Sequence, residues 1–457
     1  MLRWVTTIFL VALAFVTPAL AAEQPRVLVV PPFSLERYAG QGAVGLLVPG
    51  AGPEVTREGA LASLLTGKVR SSVLGGLPVG EQLIRLGVGT GPTVYVSLPP
   101  PGRSDNDRRY PIAVVGGGFR GLLVSDSTRI PGLVSVSDVA TGRLESRPST
   151  SAVATLERLD DRIERNDRWR LPATIAVATA LIALGVLRPR WAPRALLLAL
   201  ALNLWLEPWL AALAAGLALA LPLGAACGAV LAAYLVSLGL DAQTVALSPL
   251  GPSQASRFYG VNNLLETLLL AATLLGVARL RRAGVAVGAL ALVAVAGNRF
   301  GADGGGLVVL LAGLIVLAQR LRGVTLTPRR LALAAAAAVA LALALAGLDA
   351  ATGGSSHVTR ALGEGPSVLA GDLGDRLELS ARRTVASPGP LAVVLGSLAL
   401  LGLVATRRPR TPVTDALLVA LAVSLLVNDT PSDVLGIGAA AAIALHRLER
   451  TASDEAL

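Results

Sequence analysis

Two hydrophobic patterns divide the chain into an N-terminal and a C-terminal region. Up to about residue 168, apolar runs such as RVLVVPP, GAVGLLVP, PTVYVSLPP, YPIAVVGG and GLLVSDS are short and bounded by turn residues. Such runs are typical of buried strands, and EGALASLLTGKV and VGEQLIRLGV predict helices between them. From residue 171 onward, apolar runs reach the length of a membrane-crossing helix. The pattern predicts a small α/β domain, residues 22–150, followed by a transmembrane domain, residues 171–447.

Three shorter segments complete the predicted organisation. Residues 1–21 combine Arg3, an apolar core and the sequence Ala-Leu-Ala at 19–21. This predicts a secretory signal peptide, with an uncleaved anchor as the alternative, and either one exports the α/β domain. Residues 151–170 predict a charged helical stalk, and residues 448–457 a cytoplasmic tail.

Arginine-rich loops alternate with polar clusters along the transmembrane domain. The predicted spans are residues 171–187, 259–278, 283–297, 304–319, 331–347, 391–405, 412–427 and 433–446. The positive-inside rule assigns loops such as RPRWAPR and RRPR to the cytoplasm, so the polar clusters face the side of the exported domain. The apolar block 195–240, which Pro208 and Pro222 interrupt, must then cross an odd number of times. The prediction is an α-helical polytopic membrane bundle of 9 or 11 spans, preceded by a small exported α/β domain.

Composition and charge narrow the class of protein. The 457 residues are 53% hydrophobic with a mean hydropathy of +0.65, which is too apolar for a soluble protein. The net charge of +10 fits cytoplasmic loops and anionic lipid better than nucleic acid. We therefore predict membrane lipid as a partner and no nucleic acid. One cysteine excludes an internal disulfide, and no motif indicates a metal, a nucleotide or any cofactor that can be named.

Five polar clusters interrupt the apolar half and supply the candidate functional residues. The run GPSQASRFYGVNNLLETLLL at 251–270 enters an apolar segment, and its Asn262, Asn263 and Glu266 have a spacing that puts them on one helix face. Ionisable residues at membrane depth are costly and indicate a functional site. The other clusters lie at 297–306, 348–360, 371–383 and 427–433, and we predict all five at one face of the membrane.

The candidate residues fall into two predicted roles. The predicted catalytic residues are Glu266, Asp303 and His357. The predicted substrate-binding residues are Arg257, Tyr259, Asn262, Asn263, Arg299, Asp349, Ser356, Arg360, Arg376, Asn428 and Asp429. Carboxyl and imidazole groups exchange protons, and arginine fits phosphate oxygens. The alternative is that these residues make packing hydrogen bonds and helix caps, and that the glycine-rich run GADGGG is a turn rather than an anion site.

Several of these motifs carry a family resemblance. Residues 110–140, YPIAVVGGGFRGLLVSDSTRIPGLVSVSDVA, resemble the closing part of alkaline-phosphatase/sulfatase-superfamily domains. The C-terminal half is similar to a family of uncharacterised bacterial polytopic membrane proteins with such a domain fused in front. The matching motifs are Tyr259-Gly260 with Asn263 and Glu266, Gly301-Ala302-Asp303-Gly304-Gly305, Ser356-His357, and Asn428-Asp429. The resemblance implies a phosphatase-like fold in the α/β domain but no particular reaction.

The α/β domain departs from that superfamily at the positions that carry its chemistry. Its first strand ends at Pro31, where a metal-binding Asp is expected, and Ser127 follows Asp126, where His is typical. Neither histidine of the chain lies in this domain, so Thr56 and Ser125 are nucleophiles in name only, without a base. We interpret the domain as a degenerate phosphatase-like fold used for binding or scaffolding.

These observations favour a multi-pass protein of the bacterial cytoplasmic membrane that acts on an anionic lipid-linked substrate. The substrate would be a polyprenyl-phosphate glycan or a phospholipid headgroup, met at the extracytoplasmic face. One alternative is a secondary transporter or flippase with Glu266 and Asp303 as coupling carboxylates, although no internal repeat is evident. Another is a scaffold whose partners are envelope-assembly proteins. The sequence leaves open whether the protein is an enzyme.

Overall fold

The chain is described by a computed structural model that covers most of its length. The described residues are 25–69, 71–74, 82–125, 127–252, 258–297, 299–351, 366–407 and 409–454. The predicted signal peptide, residues 1–21, therefore lies outside the described residues, as does most of the polar cluster 348–360.

A mixed sheet forms the framework of the α/β domain. The strands in chain order are β1 (Arg26–Val29), β2 (Gly42–Val48), β3 (Glu54–Thr56), β4 (Thr93–Val96), β5 (Arg103–Asp105), β6 (Tyr110–Val115), β7 (Gly121–Ser125), β8 (Leu133–Ser135) and β9 (Leu144–Arg147). The main sheet has the order β1-β4-β6-β2-β7-β9, and β8 also pairs with β2. β1 runs parallel to β4, and β2 parallel to β7 and β8, whereas the other pairs are antiparallel. β3 and β5 form a separate antiparallel ribbon.

Both faces of this sheet are covered, which explains why β2 is a continuous apolar run. All seven residues of β2 are buried, as expected for a strand between two packed layers. The described residues of the domain form three α-helices: α1 (Glu36–Ala39), α2 (Arg57–Thr66) and α3 (Val136–Ala140). Leu64 of α2 and Val139 of α3 pack on one face. The other face packs against the first helix of the membrane region.

The five predicted strands are confirmed, and one of the two predicted helices is wrong. EGALASLLTGKV overlaps α2, whereas the described part of VGEQLIRLGV is irregular, with Leu86 bridging in parallel to Val27 of β1. Ile84 of this segment is buried in the core of the domain, and this tertiary packing overrides the helical periodicity. The hydrophobic pattern did not predict β8, β9, the ribbon or α3, because these elements are only three to five residues long.

Thirteen further helices follow within the described residues. They are α4 (Ala152–Leu187), α5 (Ala192–Leu202), α6 (Pro208–Ala220), α7 (Leu223–Leu240), α8 (Ala242–Ala246), α9 (Asn263–Leu280), α10 (Gly284–Ala296), α11 (Gly304–Leu321), α12 (Pro328–Ala351), α13 (Pro366–Val385), α14 (Pro388–Thr406), α15 (Pro412–Val427) and α16 (Pro431–Asp454). Each clearly predicted span coincides with one of them.

Six of the described helices are long and apolar enough to cross a membrane: α4, α7, α9, α11, α12 and α14. Four more are apolar but shorter: α5, α6, α10 and α15. These helices confirm a membrane-type bundle beside a small α/β domain. The ambiguous block 195–240 contains most of α5 together with α6 and α7, and of these three helices α7 alone has the length of a span. The number of spans and the export of the domain stay predictions.

The predicted stalk and the first span form one continuous helix. α4 has 36 residues and contains Pro172, which cannot donate the usual backbone hydrogen bond. Leu156 and Ile163 of α4 pack against the open face of the sheet. Arg109 of the α/β domain, almost buried, forms an ion pair with Asp160 of α4 at an N···O distance of 2.6 Å. The domain therefore rests on α4 through both apolar packing and a buried charge.

The bundle surrounds α9. Every residue of α9 from Leu264 to Gly276 is buried, as expected for a helix that is apolar on all sides. At one end of the bundle, Arg320 of α11 and Arg410 both bind Asp415 of α15, with N···O distances of 2.8 and 2.6 Å. We refer to this end, which carries the arginine-rich loops, as the basic end. The α/β domain lies at the opposite end, which we refer to as the polar end.

Asp138 gives the α/β domain a pH-dependent contribution to stability. Burial raises the pKa of its carboxyl group above the ordinary value of 3.8, although hydrogen bonds from Ser127, Ser125 and the Ser135 backbone oppose the shift. The folded state thus binds this proton more tightly than the unfolded state. The contribution is complete below pH 3.8 and is lost as the pH rises through the raised pKa. Asp138→Asn keeps a hydrogen-bond acceptor but does not titrate. We therefore expect the stability of this variant not to fall as the pH rises.

Hydrogen exchange of residues 127–144 in the full-length protein measures the effect. In the wild type, protection should fall as the pH rises above 3.8 and through the raised pKa of Asp138, after correction for the intrinsic exchange rate. Asp138→Asn should show a flatter profile, whereas Asp105→Asn, at an exposed position of β5, should match the wild type. Parallel profiles for the wild type and Asp138→Asn would contradict the prediction.

Candidate functional site

Two buried carboxyl groups lie together at the polar end. Glu266, in the first turn of α9, is 0% exposed, and Asp303, which precedes α11, is 5% exposed. They are close enough to interact electrostatically. Asn428 Nδ2 donates to Glu266 Oε2 at 3.3 Å and to Ser424 Oγ at 2.7 Å. Among the described residues, the other oxygens, Glu266 Oε1 and Asp303 Oδ2, have no hydrogen-bond partner.

The glycine-rich turn before α11 brings Asp303 into position. Asp303 Oδ1 caps the helix by accepting the Gly306 N–H at 3.0 Å, which is the usual task of an N-cap side chain. A Cβ atom on Gly305 would lie only 2.5 Å from Asn428 Oδ1. Glycine at this position lets α11 approach the end of α15. The turn interpretation of GADGGG is therefore favoured over an anion site, because Asp303 occupies an N–H group that an anion would need.

The two asparagines before Glu266 have different tasks. Asn262 Oδ1 accepts the Leu265 N–H at 2.9 Å, so this side chain caps α9. Asn263 Nδ2 donates to Thr430 Oγ1 at 2.8 Å and to Asp429 Oδ1 at 3.3 Å. Asn262 precedes α9, which begins at Asn263, and its side chain acts as a cap because the first N–H groups of a helix have no partner within it.

A charged network surrounds the turn between α15 and α16. Arg383 of α13 binds Asp429 at an N···O distance of 2.9 Å and also donates to the Asp429 carbonyl. Arg376 donates to the Val427 carbonyl at 3.0 Å. Because Asp429 also accepts from Asn263, the network connects α13 with the start of α9. The predicted binding residues Asn263, Arg376 and Asp429 are thus brought together.

Sequence reasoning missed several members of this network. Asp433 of α16 lies 3.7 Å from Arg170 of α4, and Arg170 also donates to the Gly251 carbonyl at 2.8 Å. Ser424 and Thr430 accept hydrogen bonds from Asn428 and Asn263. The polar run VNDTPSD contains two of these residues, Thr430 and Asp433. Treating every polar residue of that run as a candidate would have found them. Nothing in the sequence connected Arg170, at the end of the charged stalk, to that run.

Tyr259 connects the site to the α/β domain. Its ring is 8% exposed, and the Arg129 guanidinium lies 4.1 Å from the ring centroid, within the range of a cation–π contact. Arg129 has a φ of 57°, a left-handed conformation that is unusual for a residue with a side chain. The neighbouring Phe258 packs in the same core as α4 and the sheet. The segment that leads into α9 is therefore held by the domain.

The remaining predicted site residues are not part of this cluster. Arg299 is exposed on the turn before α11. Asp349 belongs to the last turns of α12, and its side chain is not among the described ones. Arg257, Ser356, His357 and Arg360 lie outside the described residues. Of the three residues predicted as catalytic, the structure brings together Glu266 and Asp303.

The two nominal nucleophiles of the α/β domain, Thr56 and Ser125, both have structural hydrogen-bond partners. Thr56 Oγ1 accepts the Gly59 N–H at 3.0 Å and caps α2, and Ser125 Oγ lies 3.2 Å from Thr128 Oγ1. A cavity of about 890 Å³ opens at the carboxyl ends of β1 and β4, and Arg57, Arg108 and Tyr110 are among its lining residues. Across the described ranges, no group of three or more His, Cys, Asp or Glu side chains could hold a metal ion.

The contact of Gly305 with Asn428 can be tested by adding one methyl group. Gly305→Ala would push Asn428 away from its place between Glu266 and Ser424. We expect a loss of about 1–3 kcal/mol in stability, the usual cost of overpacking, seen as a lower Tm of the purified protein. Gly347→Ala, in open space on α12, is the matched control. Equal Tm values for the two variants would show that α11 and Asn428 are not in tight contact.

Comparison of the chain with protein-family models, with curated proteins and with solved structures gives no match. The resemblance of the α/β domain to phosphatases thus stays a prediction. Any assignment of function depends on the geometry of the polar end.

Proposed function

We propose that the protein is a secondary transporter or flippase of the bacterial cytoplasmic membrane, in which Glu266 and Asp303 take up and release a proton. One observation carries the proposal. Both carboxyl groups are more than nine-tenths buried, and each has an oxygen without a partner among the described residues. Within that part of the chain, no arginine or lysine forms an ion pair with either of them.

The carboxyl groups of Glu266 and Asp303 are suited to proton exchange because they are buried without a neighbouring cation among the described residues. An unpaired carboxylate costs several kcal/mol to bury, on the order of the stability of a whole domain. Two such charges close together also repel each other strongly in an apolar surrounding. A proton removes this cost, and its release restores the repulsion. The interactions of Glu266 with α11 and α15 therefore differ between the protonated and deprotonated states, as coupling requires.

Basic side chains at the polar end support an anionic substrate. Arg376 and Arg382 of α13 are exposed, and Arg383 is partly exposed. Each retains N–H donors beyond those already used, and the planar guanidinium matches phosphate oxygens. Arg382 also donates to the Val73 carbonyl of the α/β domain. An anionic lipid-linked molecule, such as a polyprenyl-phosphate glycan or a phospholipid headgroup, would meet a surface formed by both regions.

A hydrolase or transferase acting on the same substrate class is the second candidate. The observation that favours it is the partial exposure of the Asp429 and Arg383 side chains, 31% and 23%. A general acid or base must be reachable by its substrate. Glu266 does not meet this condition in the described conformation, so in an enzyme Asp429 would replace it as the reacting carboxyl.

Conservative substitutions separate the two candidates. Glu266→Gln and Asp303→Asn keep the volume but cannot release a proton. We expect each of these two substitutions to lower the rate of proton uptake into liposomes at least tenfold. The uptake is driven by a gradient across the liposome membrane and is measured with a pH-sensitive dye inside. Neither should complement a deletion strain, although both should reach the membrane. Glu378→Gln, an exposed carboxyl at the same end, should behave as the wild type.

The opposite pattern would favour the enzyme. In that case Glu266→Gln and Asp303→Asn would complement the deletion strain fully, whereas Asp429→Asn would not. This result would indicate that the partly exposed carboxyl of Asp429 is the reacting group. Full complementation by all three variants would leave a scaffold for envelope-assembly proteins.

The orientation of the bundle is a separate prediction. Reporter fusions at Gly323 and Arg408 should report the cytoplasm, because both positions lie in arginine-rich segments. Fusions at Gly354 and Asp429 should report the outside, together with the α/β domain. A cytoplasmic signal from Gly354 would contradict the arrangement of all polar clusters at one face.

A further inference from the structure

An apolar groove opens on the side of the bundle near the basic end. It lies between α9, α10 and α11 and has a volume of about 460 Å³. Its lining includes Val285, Gly288, Leu292, Leu314, Leu321 and Arg322. From Leu321 to Leu314 it follows α11 for seven residues, which is about 10 Å at the usual helical rise.

Gly288 forms the floor of the groove. A Cβ atom on this residue would lie 3.6 Å from Leu314, which is ordinary contact without a clash. A residue at this position with a side chain longer than that of alanine would project into the groove beside Leu314. Two apolar residues at its rim, Val285 and Leu321, are 76% and 50% exposed. Such exposure is unfavourable in water but is expected where a side chain contacts lipid.

The mouth of the groove carries positive charge. Arg322 lines it, and Arg282 lies two residues before Gly284, another lining residue. Within the described part of the chain, Arg322 forms no ion pair, whereas Arg320, two residues earlier, is paired with Asp415. An apolar slot that ends at an unneutralised guanidinium complements a molecule with an apolar chain and an anionic head.

We propose that this groove binds one acyl chain of an anionic phospholipid, with the lipid phosphate on Arg322. Clusters of basic residues at the ends of membrane helices attract anionic headgroups, and guanidinium groups pair with phosphate through two hydrogen bonds. The proposal requires that the bundle crosses a membrane, but it does not depend on proton coupling by Glu266.

Native mass spectrometry of the full-length protein can count bound lipids. The protein is placed in nanodiscs that contain phosphatidylcholine and phosphatidylglycerol and is released before measurement. The wild type should retain one tightly bound phosphatidylglycerol. Arg322→Gln should lower its occupancy at least tenfold, and Gly288→Leu should abolish it by filling the groove. Arg329→Gln, an exposed arginine at the start of α12, and Gly216→Leu, in open space on α6, are the matched controls.

Each outcome decides the proposal. A loss of bound phosphatidylglycerol in Arg322→Gln but not in Arg329→Gln supports the proposal, even if Gly288→Leu fails to fold. Equal retention in the wild type and Arg322→Gln overturns it, as does an equal loss in Arg329→Gln, which would indicate general attraction to charge. Loss of a dimer rather than of a lipid in Gly288→Leu would overturn it in favour of a second copy of the chain.

Discussion

The burial of Glu266 at the start of the central helix constrains much of the polar end. A carboxyl group enclosed by apolar helices must be approached by polar groups from other elements, and these can reach it only where helices end. Asn428 reaches Glu266 from the end of α15, and Asp303 from the start of α11. Close approach of those two ends in turn requires Gly305. One buried side chain therefore accounts for the arrangement of three helix termini.

The same two helices, α11 and α15, are joined again at the basic end. There the buried carboxyl of Asp415 is balanced by two arginines, Arg320 and Arg410. The two ends differ in how a buried acid is compensated. A carboxylate with two cations is a stable ion pair that holds helices together. Among the described residues at the polar end, Glu266 and Asp303 lack such cations, and this difference is why we assign proton exchange to this pair only.

Much of the architecture follows from local patterns, and most of the site does not. The long apolar runs predicted the long apolar helices, since length and hydropathy are properties of a single segment. The stalk merged with the first span because helical periodicity continues through Pro172. Contacts such as Asn428 with Glu266 join residues more than 150 positions apart, and only the packing of the bundle determines them. The sequence indicated which runs carry polar chemistry but not the pairs within them.

Because α4 is continuous, the α/β domain is mechanically connected to the bundle and does not move independently of it. Over 36 residues, or about 54 Å, the helix extends from the face of the sheet to the basic end, where Gly185 touches the backbone of α16 at Ala444. A force that tilts the domain is transmitted along this rod to α16, and α16 begins beside the charged network of the polar end. A partner bound by the domain would therefore exert force at both ends of the bundle, and Pro172 is the point where the helix can bend.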